Sequence, residues 1–114
     1  MIIEIRTYRL VPGSSSEFKR ILIEQARPLI EESGIRVVDC GVSLVRDEGH
    51  EEGYLIRAFH SHQEREEQEG AFYSSASWLQ GPRAEFLSHI EQFHTIVLET
   101  SAEAVQALST AAKH

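Results

Sequence analysis

IIEIRTYRLVPG, residues 2–13, is the stretch whose reading decides the fold. It is rich in β-branched and aromatic residues and closes on Pro12-Gly13, so it reads as a strand over residues 2–11 stopped by a turn. Successive side chains of a strand point to opposite faces. Ile3, Ile5, Thr7 and Arg9 therefore share one face, and Ile2, Glu4, Arg6, Tyr8 and Leu10 share the other. Neither face is built for water. If the first covers a core, the second still carries Ile, Tyr and Leu beside a Glu and an Arg. Charges on a covered strand require partners, because burying an unpaired ion is expensive.

Working outward, SSSEF (14–18) opens a helix, with Ser14 and Glu17 spaced as a capping box. Phe18, Ile21, Leu22, Gln25 and Leu29 follow one helical face, Pro28 predicts a kink near Arg27, and Ser33-Gly34 ends the helix. IRVVDCGVSLV (35–45) is a second strand in which Gly41 suggests a bulge. The acidic, glycine-bounded stretch 46–53 turns the chain into a third strand, YLIRAFH (54–60), so the two form an antiparallel hairpin. Ser61 and Glu64 cap a helix over 62–73 with an almost wholly polar body. After a turn at SSASWLQG, Gly81-Pro82 starts another helix with Phe86, Leu87, Ile90 and Phe93 as its inward stripe. HTIVLE (94–99) is the fourth strand. Residues 1–99 thus form one domain. Residues 100–114 are an alanine-rich tail, with a capping box at Thr100 and Glu103 and a weak stripe of Ala104, Val105, Leu108 and Ala112 that a short helix would use.

The order β-α-β-β-α-α-β is that of a ferredoxin-like α+β fold with a lengthened second crossover: a four-stranded antiparallel sheet with helices on one face. Every strand is apolar on both sides. A bare sheet face of this kind exceeds the apolar patch a soluble monomer tolerates. A second copy packed sheet to sheet about a twofold axis is the simplest cover, giving a homodimer with a shared α/β barrel.

Composition excludes several classes. With 18 acidic against 11 basic residues the net charge is -7, which argues against nucleic acid and anionic membrane surfaces as partners. No segment approaches the roughly 18 apolar residues of a membrane span, and Glu4 interrupts any signal-peptide core, so a cytoplasmic protein is expected. The single Cys40 lies in the apolar run VVDCGVSLV and reads as a small buried residue.

Several short motifs resemble the NIPSNAP family of the dimeric α/β-barrel superfamily. They are E-I-R-T-Y (Glu4 to Tyr8) leading to Pro12-Gly13, R-A-F (Arg57 to Phe59) before the second capping box, E-R-E (Glu64 to Glu66) on the next helix, and Trp78 before Gly81-Pro82-Arg83. The resemblance covers about residues 2–99. It implies a ferredoxin-like subunit and a homodimeric barrel. Eukaryotic members are longer, carry targeting segments and are associated with mitochondria and trafficking; this chain looks like a single-domain bacterial member. The family offers no catalytic motif to carry over, but in the wider superfamily a pocket between sheet and helices takes small aromatic molecules or haem, and some members are monooxygenases or isomerases.

Among chemistry-bearing residues, Arg6 and Tyr8 offer a cation and a hydroxyl to an anionic or carbonyl-bearing ligand. Glu4 and Arg6 share a face and could pair with each other. Arg57 inside an apolar strand needs Glu4, another acid or a ligand. Trp78, Tyr73 and Phe72 read as packing that could also wall an aromatic pocket. His60-Ser61-His62 has the spacing of strand metal ligands but lacks a third ligand, so no metal and no cofactor are expected; His60 alone could act as an acid or base. Arg65 and the acids Glu64 to Glu69 read as a solvated helix face, with Arg65 and Glu69 at pairing distance. The function expected is therefore a homodimeric domain binding a small anionic or aromatic molecule between sheet and helices, in a pocket lined by Arg6, Tyr8, Arg57 and Trp78. Two alternatives stand beside it. One is a cofactor-independent monooxygenase- or isomerase-type enzyme on aromatic substrates, with Tyr8 or His60 moving protons. The other is a purely structural dimerisation module whose arginines only make ion pairs.

Overall fold

The computed structural model describes residues 1–109. Strand β1 (Ile2–Leu10) is followed by α1 (Ser15–Ile21), a π-turn (Leu22–Ala26), α2 (Arg27–Glu32), β2 (Arg36–Val42) and β3 (Glu52–Phe59). Then come α3 (His62–Tyr73), α4 (Ala76–Leu79), α5 (Arg83–Ser88), β4 (Ile90–Glu99) and α6 (Ala102–Leu108). The strands form one antiparallel sheet in the order β2-β3-β1-β4, the ferredoxin-like arrangement.

The face of β1 that carries Glu4, Arg6, Tyr8 and Leu10 is the one under the helices. Tyr8 and Leu10 join Phe18, Ile21, Leu22, Leu55, Phe59, Phe72, Trp78 and Phe86 in the main core. Phe18 is fully buried and lies against Gly53 of β3; a Cβ there would meet its ring at 2.3 Å, so this close approach requires glycine.

Local chemistry departs from the sequence reading in several places. The Pro28 kink is a π-turn: the Arg27 N–H reaches the Leu22 carbonyl, and the widened turn makes room for the proline ring. Ser14 has helical backbone angles and does not cap α1; its hydroxyl meets His89 Nδ1 at 3.1 Å. The cap is Glu51, whose carboxylate accepts from the Gly13 N–H at 2.6 Å, the Ser15 N–H at 3.2 Å and the Ser15 hydroxyl. The bulge in β2 falls at Val38 rather than Gly41, and β2 stops at Val42, leaving Leu44 and Val45 exposed. Finally, α5 ends at Ser88, so Ile90 and Phe93 belong to β4.

The opposite sheet face presents Ile3, Ile5, Ile56, Ala58, Ile96 and Leu98 by register. Helix α6 covers one corner of it, burying Val105 against Val38 and Ala58, and is capped by Ser101 rather than Thr100. Ala112 of the expected tail stripe lies outside the described residues. Among the described residues, no helix is long and apolar enough to cross a membrane.

Candidate functional site

The register of β1 assembles the site. Glu4 stands opposite Arg57 of β3, Arg6 opposite Leu55 of β3 and Thr95 of β4, and Tyr8 opposite Gly53 and Phe93. Above them α3 lays a stripe spaced by four, Arg65, Glu69 and Tyr73, so these three share a helix face aimed at the charged patch of the sheet.

The result is a buried network. Arg57 is fully buried; its Nε donates to Glu4 Oε1 at 3.0 Å, its Nη2 also bonds that oxygen, and its Nη1 donates to the Tyr73 hydroxyl at 2.9 Å. Arg65 Nε donates to the other Glu4 oxygen at 2.6 Å. Arg6 donates to Thr95 Oγ1 and to the Tyr73 hydroxyl, each at 3.0 Å. Glu69 Oε1 lies 3.4 Å from Arg57 Nη2 and 3.7 Å from Arg6 Nη2. Arg65 Nε is 3.2 Å from Glu69 Oε2 but out of line for a hydrogen bond, so that buried oxygen accepts none. Glu4 thus pairs across strands with Arg57, not with Arg6 on its own strand.

The two carboxyls differ in protonation. Burial pushes Glu69 up from 4.5 to about 7; the neighbouring Glu4 adds to the rise, and Arg57 and Arg65 only partly oppose it. Burial acts on Glu4 in the same direction, but its hydrogen bonding with Glu69 and the Arg57 guanidinium outweigh it and bring Glu4 down to about 2. Three guanidiniums therefore face one firmly ionised carboxylate and one that titrates near neutrality. Burial pushes the Tyr8 phenol upward, so it stays neutral.

Beside this network is a pocket of about 500 Å³ between β1, β4 and the α3–α5 segment. Arg6, Glu69 and Tyr73 form its polar wall. Tyr8, Trp78, Phe86 and Phe93 supply aromatic walls, and Leu79, Leu87, Ile90 and Arg83 stand around it. Arg6 is also packed over the Phe93 and Tyr73 rings, at 5.0 and 5.7 Å. Arg83, exposed at the start of α5, makes no ion pair or side-chain hydrogen bond among the described residues.

Of the residues singled out by sequence, Arg6, Tyr8 and Trp78 line this pocket. Arg57 does not; it lies behind the wall and holds Glu4 and Tyr73. His60 is exposed and belongs to a different hollow, with Met1, Ile2, Ser61, His62, Glu99 and Thr100. His62 faces Glu66 at 3.0 Å. Among the described residues no group of three His, Cys, Asp or Glu side chains could hold a metal ion. Sequence reasoning missed Glu69, assigned to a solvated face and in fact 8% exposed. A signal was present: Glu4, Arg6 and Arg57 leave a surplus cation on the strands, and a Glu flanked by Arg and Tyr at spacings of four could meet it.

A NIPSNAP family model matches residues 3–102. The crystal structure of an uncharacterised NIPSNAP domain protein from Burkholderia xenovorans superposes with a TM-score of 0.77 at 20% identity, over 90% of this chain and 96% of that one. A NIPSNAP family protein from Agrobacterium tumefaciens gives a TM-score of 0.77 at 17% identity, over 89% and 93%. A Nitrosomonas europaea protein described as a candidate antibiotic biosynthesis monooxygenase gives 0.61 at 15% identity, over 88% and 98%. At these identities the likeness is one of fold. No curated protein matches the chain.

Proposed function

Because the chain belongs to the NIPSNAP family, we propose that it is a homodimeric domain that binds a small anion with an aromatic or apolar body between its sheet and its helices. The observation that carries this reading is the surplus of guanidinium charge in and directly behind the wall of an aromatic-lined pocket of about 500 Å³, with Arg6 and Arg83 on the lining and Arg57 and Arg65 behind it. Arg6, Arg57 and Arg65 outnumber Glu4 and Glu69, and Arg83 adds a cation at the rim. That surplus favours an anionic ligand, while Trp78, Phe86 and Phe93 favour a flat apolar one. The pocket volume falls within the usual range for small-molecule sites, roughly 300–1,000 Å³. The dimer is supported by the outer sheet face, where Ile96 and Leu98 are 44% and 45% exposed and α6 covers only the Val38–Ala58 corner.

Calorimetric titration of the wild type and Arg6→Met with phenylacetate tests the pocket. The wild type should bind and the variant should bind at least about tenfold more weakly, since a charge-assisted contact is worth roughly 1.5–3 kcal/mol. Equal affinity in the two proteins would remove Arg6 from the site. No binding, together with loss of stability in Arg6→Met, would favour the purely structural role. Sedimentation equilibrium tests the dimer; a monomer at micromolar concentration would contradict it.

A further inference from the structure

The pocket holds more than a binding surface needs. Glu69 is buried and lines the cavity; its Oε2 is enclosed 3.2 Å from Arg65 Nε, while its Oε1 lies 3.7 Å from Nη2 of Arg6, which lines the same cavity. About one turn further along the same face of α3, Tyr73, four residues on, lines the same cavity. The Tyr73 oxygen accepts from Arg6 at 3.0 Å and from Arg57 at 2.9 Å, which uses both lone pairs and leaves its hydrogen to be donated elsewhere. Two guanidinium donors on one phenol oxygen polarise that O–H bond. A proton acceptor thus stands next to an anion-stabilising donor and a cation, on one wall of an aromatic cavity. This is the juxtaposition required to move a proton beside a carbonyl group.

We propose that Glu69 is a general base and acid for enolisable aryl 2-keto acids bound in this pocket, with Tyr73 and Arg6 stabilising the enolate oxygen. The inference rests on the pocket reading above. In the forward step the Glu69 carboxylate takes a proton from the carbon next to the ketone. The C–H electron pair becomes the C=C bond, and the carbonyl π pair moves onto oxygen, where the Tyr73 O–H and the Arg6 guanidinium hold it. The Glu69 carboxylic acid exchanges its proton with solvent and then delivers a solvent-derived proton either to the same carbon, which completes the exchange, or to the enolate oxygen, which gives the enol; either way Glu69 is a carboxylate again. Nothing is oxidised or reduced, and no cofactor enters. The substrate carboxylate answers the surplus of positive charge, and its ring answers the aromatic walls.

The groups facing Glu69 suit this role. From β1 come Glu4 and Arg6, from β3 Arg57, and from α3 Arg65 and Tyr73. Burial and the nearby Glu4 carboxylate put Glu69 at about 7, where it can both accept and release a proton at neutral pH.

The test uses the purified full chain and phenylpyruvate. Calorimetry measures binding, and proton NMR in D2O follows exchange of the benzylic hydrogens against buffer. The expected result is binding with exchange accelerated at least about 100-fold in the bound compound, the lower range for general acid–base catalysis. The exchange rate should rise about tenfold per pH unit and level off above about 7. Glu69→Gln should bind within about threefold of the wild type and lose the acceleration; Glu69→Asp should keep a measurable part of it, with the same rising limb. Binding without exchange overturns the catalytic proposal and leaves the pocket reading standing, as does unchanged exchange in Glu69→Gln. Failure of the wild type to bind phenylpyruvate overturns the pocket reading itself.

Discussion

Replacing Arg57 by Met keeps an unbranched side chain in the core and removes only the guanidinium. That group bonds Glu4 Oε1 twice and the Tyr73 hydroxyl at 2.9 Å, and it lies 3.4 Å from Glu69; Arg57 and Glu4 are both fully buried. Removing one partner of a buried ion pair costs roughly 3–5 kcal/mol, mostly as the penalty of the charge left behind. Glu4 keeps Arg65 at 2.6 Å, so the lower end applies, about 3 kcal/mol. With a urea slope of about 1.5 kcal/mol per molar, the unfolding midpoint should fall by about 2 M. Both proteins must be measured at one concentration, since the apparent stability of a protein that self-associates, as proposed above, depends on concentration. The same curves at acid pH provide a second check. Without Arg57 the Glu4 carboxyl no longer stays near 2, and it can take a proton where the wild-type group cannot. The gap between the two proteins should therefore narrow as pH falls from neutrality towards 4. A loss below about 1 kcal/mol at neutral pH, or a gap independent of pH, would show that Glu4 is hydrated after all, and the buried network would carry none of the weight given to it here.

The two carboxyls give opposite pH dependences. Glu69 holds its proton more tightly folded than unfolded, so stability should decline as pH rises from 4.5 to about 7 and stay level above, by about 3 kcal/mol at 1.36 per tenfold. Glu4 is the reverse, contributing stability above 4.5 that is lost as pH falls towards 2. Glu69→Gln should abolish the decline between 4.5 and 7, and matching slopes in denaturation curves of variant and wild type would refute the assignment. Gly53→Ala should destabilise by about 2 kcal/mol in the same assay, because its Cβ would sit 2.3 Å from the Phe18 ring; a neutral result would mean the ring can move off the sheet.

How far the molecule was legible depends on which signal each part sends. Alternation in β1 and the capping pair Ser61–Glu64 are local. They placed β1 and α3 where they are, with the Ser61 hydroxyl accepting from the Glu64 N–H at 3.1 Å. The start of β4 was misplaced because Phe86, Leu87, Ile90 and Phe93 fit helical spacing while the backbone turns at His89. Glu51 as the cap of α1 was invisible because it comes from 36 residues away. The site divides in the same way. Arg6, Tyr8 and Arg57 stood out as polar groups in apolar strands. Glu69 did not, because α3 buries a charged stripe where periodicity analysis looks for an apolar one. Its partner is set by strand register, which brings Arg57 opposite Glu4 across 53 positions of sequence.

Trp78 is the only tryptophan in the chain, and it is buried in the pocket wall with Phe72, Tyr73 and Phe86 around it. Its fluorescence during titration with phenylacetate reports on the cavity alone. The account predicts a saturable change in intensity or emission maximum, with the midpoint moved to higher concentration in Arg6→Met. A spectrum that stays fixed up to millimolar phenylacetate would contradict the claim that the charges folded beneath these helices form an anion site.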